Sequence, residues 1–107
     1  MKIYIALRVR SNAELHFVAV DATRVRMPSG ILGTYAAHRC ACGCGEWQVS
    51  NVETGGAIST TTFELRRQAI DDARRRLTRR GPEAIAAAIA RGRAEGMTPP
   101  TVKEAKA

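Results

Sequence analysis

The sequence predicts an α+β fold: a mostly antiparallel sheet of four to five strands in residues 2–61, followed by two C-terminal helices at about 62–80 and 82–95. Three observations predict it. Residues 2–10 alternate strictly between apolar and polar, a glycine pair at 55–56 separates two short β-like runs, and after Thr61 the apolar spacing changes to that of a helix.

The first strand places Ile3, Ile5, Leu7 and Val9 on one face and Lys2, Tyr4, Arg8 and Arg10 on the other, which is the pattern of a half-buried strand. Ser11-Asn12-Ala13 offers turn chemistry. Residues 14–20 then read as an antiparallel partner, with Leu15, Phe17 and Ala19 facing one way and His16, Val18 and Val20 the other. Residues 24–27 read as a short third strand closed by Pro28-Ser29-Gly30, and a glycine-bounded segment, 31–37, follows. The clearest hairpin joins 46–52 to 57–61 across Glu53-Thr54-Gly55-Gly56, and it turns Trp47 and Val49 together toward the core.

Thr61 and Glu64 stand in capping-box spacing at the start of the first helix, whose stripe is Leu65, Ala69, Ile70, Ala73 and Leu77 and whose stop is Gly81. Pro82 suits the first turn of the second helix, where Ile85 and Ile89 lie one turn apart among alanines and Gly92 and Gly96 weaken the end. A single domain is expected over residues 1–97. Residues 98–107 hold too little apolar surface to dock and are expected to form a flexible tail.

Lys and Arg number 17 against 10 acidic residues, for a formal net charge of +7. The surplus is uneven: residues 61–107 hold eleven basic and six acidic residues, while 1–60 hold six and four. A field of this sign attracts polyanions. No run approaches the ~20 apolar residues that span a bilayer, the start lacks the continuous apolar stretch of an export signal, and three clustered cysteines do not make a disulfide framework. A cytoplasmic chain with no membrane partner is therefore expected.

The first functional candidate is the arginine run Arg66, Arg67, Arg74, Arg75, Arg76, Arg79 and Arg80. Helical spacing pairs Asp71 with Arg75 and Asp72 with Arg76, leaving the other five without a carboxylate. Guanidinium forks match phosphate oxygens, so Arg66, Arg67, Arg74, Arg75, Arg79 and Arg80 are the expected contacts to nucleic acid or a nucleoprotein. The competing expectation is a solvated helix face. Aromatic residues are absent from the run, which argues against stacking on single strands through this helix.

The second candidate is His38-Arg39-Cys40-Ala41-Cys42-Gly43-Cys44. Thiolates and imidazole are zinc ligands, so Cys40, Cys42, Cys44 and His38 form a candidate zinc set. In an extended chain alternate residues stand roughly 6–7 Å apart, too far to share one tetrahedral ion, unless Gly43 and Gly45 bend the segment. Small packed or loop cysteines are the plainer expectation, with no cofactor. No phosphate-binding loop, G-x-S-x-G or H-E-x-x-H is present, and neither histidine has a serine or aspartate in triad spacing, so no enzymatic activity is expected.

Trp47-x-Val49, Glu53-Thr54-Gly55, Ile58 and a Thr-capped helix carrying Ala69-Ile70 resemble the hairpin-plus-helix modules of small accessory proteins in phages and mobile elements, over residues 46–78. The resemblance implies a protein that binds host or phage macromolecules, including inhibitors of bacterial defence complexes of the anti-CRISPR kind. The C-x-C-x-C run lies outside that pattern, and inhibitors that mimic nucleic acid are usually acidic. The expectations are therefore a basic binding protein acting on nucleic acid or nucleoprotein, with a protein-protein inhibitor of a host complex and a zinc-stabilised module as alternatives. The alanine-rich second helix suits packing or a homodimer contact.

Overall fold

The computed structural model describes residues 1–8, 15–59 and 61–99. A four-stranded antiparallel sheet in the order β1-β2-β3-β4 precedes two helices. The elements are β1 (Lys2–Arg8), β2 (Leu15–Val25), β3 (Tyr35–Arg39), β4 (Trp47–Asn51), α1 (Arg66–Arg80) and α2 (Pro82–Ala94). Val9, Arg10, the expected turn at 11–13, Glu14, Thr60 and all but Thr98 and Pro99 of the expected tail lie outside the described residues.

β2 is one long strand where the sequence predicts two. Residues 15–21 pair with β1, from Arg8↔Leu15 to Lys2↔Asp21, and residues 22–25 pair with β3, from Ala22↔His38 to Val25↔Tyr35. Asp21 and Thr23 do not break the strand, because both side chains stay exposed, with Asp21 paired to Lys2 at 3.0 Å, while Ala22 between them is buried on the opposite face. The glycine-bounded segment becomes strand only at Tyr35, after Gly30 and Gly33.

The partner of β4 is likewise less regular than predicted. Ala57 and Phe63 meet β4 at isolated bridges, Ser50↔Ala57 and Trp47↔Phe63, with the Ile58 N–H donating to the Val49 carbonyl at 2.9 Å. Beyond the end of β4 the chain reaches back to β1. The Ala6 N–H donates to the Gly55 carbonyl at 2.8 Å, which covers a donor on the edge strand.

Apolar side chains collect on both faces of the sheet. On one, Val25, Tyr35, Ala37 and Val49 meet Ala69, Ala73 and Leu77 of α1 and Ile85 of α2, with Trp47 and Ile89 partly buried beside them. On the other, Ile3, Ile5, Ala22 and Ala36 pack together. β3 serves both, and Tyr35 to His38 are consecutively buried.

α1 begins four residues later than expected. The box is not Thr61/Glu64: the Gln68 side chain accepts from the Leu65 N–H at 3.1 Å, while the Thr61 N–H donates to the Ser59 hydroxyl at 3.1 Å. Leu65, expected in the buried stripe, therefore precedes the first turn and is exposed. Gly81 ends α1 and Pro82 opens α2, as the sequence predicts.

Candidate functional site

The arginines of α1 do not form a single stripe. At about 100° per residue, Arg67 and Arg74 share one flank two turns apart, Arg75 and Arg79 share the outer side, Arg76 borders the buried stripe of Ala69, Ala73 and Leu77, and Arg80 lies in line with that stripe at the last residue of the helix. All seven are exposed. The ion pairs also differ from expectation. Asp72, buried beside the core, takes both Arg76 Nε at 2.8 Å and Arg75 Nη2 at 3.1 Å, and it leaves Asp71 on the exposed side. One carboxylate thus engages two guanidiniums, because i+3 and i+4 both lie over its turn.

Arg74 reaches across to the segment after β2. Its Nε and Nη2 donate to the Arg26 carbonyl at 3.1 and 2.9 Å, a contact that fixes the side chain without cancelling its charge. It ties α1 to the segment that carries Arg26, an exposed arginine 48 positions earlier beside an open cleft of about 520 Å³. Arg24, opposite Ala36 in the register, lies on the sheet face away from α1. Sequence spacing gave no signal for the Arg26 contact, since only the packing of α1 on the sheet brings Arg74 to it. Arg76, Arg79 and Arg80 line a second open cleft, of about 390 Å³, with Ala57, Ile58 and Leu77. Arg66 lies at the other end of the helix, with its guanidinium 5.7 Å from the Trp47 ring centroid.

The cysteine segment is a turn. The Cys40 N–H donates to the Glu46 carbonyl at 2.8 Å, and Gly43 and Gly45 adopt φ of 82° and 81°, a region that residues with a Cβ rarely enter. This bend gathers the three Sγ atoms of Cys40, Cys42 and Cys44 within 4.8 Å of one another, where an extended chain would hold them apart. The N–H of Cys42 points to Cys40 Sγ and that of Cys44 to Cys42 Sγ, each at 3.4 Å. Arg39 closes the base, bonding the Gly45 carbonyl while its guanidinium stacks 4.3 Å from the Trp47 centroid.

His38 does not join the thiols. It is fully buried, with Nδ1 2.7 Å from the Arg39 carbonyl and Nε2 2.8 Å from the Ser50 hydroxyl. A carbonyl only accepts, so Nδ1 carries the proton and Nε2 accepts from Ser50 Oγ–H. Burial holds the imidazole below its ordinary pKa, with the backbone bond to Arg39 opposing in part. The sequence offered no sign of this His-Ser pair. It arises because β3 and β4 lie in register, with Ser50 opposite Ala36 on the face that His38 also occupies.

Comparison of the chain with protein-family models, with characterised proteins and with solved structures found no match. Among the described residues no helix is long and apolar enough to cross a membrane.

Proposed function

We propose that this chain is a non-enzymatic binding domain that contacts an anionic macromolecule, nucleic acid or a nucleoprotein, through the arginines of α1 and their neighbours on the sheet. The observation that carries the reading is the charge balance of the helix. Seven exposed arginines stand against two aspartates, and among the described residues the ion pairs of the helix converge on Asp72. Among the described residues Arg67, Arg79 and Arg80 are exposed and make no ion pair, and Arg74, bound to the Arg26 carbonyl, extends the positive surface along one flank. Open, shallow clefts bordered by guanidiniums suit a backbone laid across the surface better than a small molecule enclosed by it.

The same geometry supports a binding role over a catalytic one. The His38–Ser50 pair is sealed, with His38 0% and Ser50 1% exposed, so no substrate reaches it. The test is anisotropy of labelled random duplex DNA and RNA over a salt series. Binding that weakens steeply with salt, and that falls in an Arg67/Arg79/Arg80→Gln variant, supports the reading. A stoichiometric protein retained after nuclease treatment, with no salt-sensitive nucleic-acid binding, would instead support the inhibitor alternative.

A further inference from the structure

We propose that the turn at residues 40–45 is a three-thiolate site for a soft monovalent cation of the copper(I) class, independent of the arginine surface. Three sulfurs bound to one ion at about 2.3 Å stand about 4 Å apart. The Sγ atoms already lie within 4.8 Å of one another, so rotamer adjustments of a few tenths of an ångström complete the geometry. The backbone is shaped for it. Two successive N–H groups aim at Cys40 Sγ and Cys42 Sγ, and such donors stabilise sulfur in its thiolate form. The positive φ of Gly43 is what turns the chain between Cys42 and Cys44 so that all three side chains converge.

Ligand number selects the ion. Structural zinc takes four protein ligands, and among the described residues no fourth His, Cys, Asp or Glu joins this group. His38, the nearest imidazole in sequence, is buried with both nitrogens bonded, and the Glu46 carboxylate accepts from the Thr62 hydroxyl. Three soft donors and nothing harder favour copper(I). Binding converts three S–H groups to thiolates and releases their protons to solvent, giving a site of net charge −2. Arg39, bonded to the Gly45 carbonyl at the base of the turn, supplies compensating charge. Cys40 is half-buried and Cys42 and Cys44 are exposed, so an ion enters without unfolding the domain.

The experiment is an anaerobic titration of the reduced full chain with copper(I), delivered as its acetonitrile complex against a chromophoric copper(I) chelator, followed by X-ray absorption of the product. One copper per chain is expected, with three sulfurs and no nitrogen or oxygen in its first shell. C40S, C42S and C44S should each weaken binding by more than about tenfold, and excess zinc should not displace copper. Circular dichroism of the serine variants, and protection of the unmutated thiols from alkylation by bound copper, separate loss of a ligand from loss of fold. Retention of copper by the triple serine variant, fewer than three sulfurs, a nitrogen ligand or preference for zinc would each overturn the proposal.

Discussion

At the scale of single residues, His38 and Gly55 are closely confined by their surroundings. His38 is buried as a neutral ring, and its pKa is lowered by that burial. A depressed folded pKa means that the unfolded chain binds the proton more readily, so this contribution to stability is complete above the unfolded value of about 6.5 and is lost as pH falls below it. Urea midpoints should therefore drop between neutral and mildly acidic pH, and His38→Gln should flatten that dependence. A slope unchanged by the substitution would mean that other groups govern it. Gly55 has φ +74°, and an added Cβ would stand 2.9 Å from both the Ala6 nitrogen and the Tyr4 carbonyl oxygen. Backbone atoms cannot rotate away, so Gly55→Ala should destabilise by about 2–4 kcal/mol in chemical denaturation. The glycine pair at 55–56 was legible in sequence as a turn. That the turn leans on β1 was not, because the contact spans some fifty residues.

At the scale of elements, α1 unites packing and charge. Leu77 is 3% exposed between the sheet and α2, and Leu77→Ala should cost about 2–5 kcal/mol in urea unfolding. Asp72 gives a sharper test. Replacing it by asparagine releases Arg75 and Arg76, which are more than half exposed, so the loss of stability should be modest, about 0.5–1 kcal/mol. On the proposed function the same change should tighten polyanion binding, since two more guanidiniums become available. Much of this element was readable: period, stripe, Gly81 stop and Pro82 start all follow from local chemistry. The start was misplaced because Thr61/Glu64 and Leu65/Gln68 offer the same spacing, and only packing decides between them. The pairing of Asp72 with two arginines was likewise open, since i+3 and i+4 partners compete on geometry that sequence leaves free.

At the scale of the whole molecule, two apolar layers flank a sheet whose third strand, β3, is buried on both faces, and the arginines of α1 lie outside them. Alternation in β1 and helical period in α1 made the α+β class legible. β2 was not, because Asp21 and Thr23 resemble a break in sequence and become exposed positions within one strand only once β1 and β3 both claim it. The site divides in the same way. The arginines of α1 could be named from sequence, whereas the Arg26 segment joins them through tertiary packing, and the cysteines converge through a bend that residue spacing alone argued against.

The central claim is that exposed guanidiniums without enough carboxylates beside them make this a polyanion-binding surface. Its most direct test is the salt dependence of duplex binding by the unmutated chain and by the Arg67/Arg79/Arg80→Gln variant. The account predicts a steep negative slope of log affinity against log salt, shallower by about one for each phosphate contact removed, so by about three in the variant. No binding at low salt, or the same slope in both proteins, would contradict it.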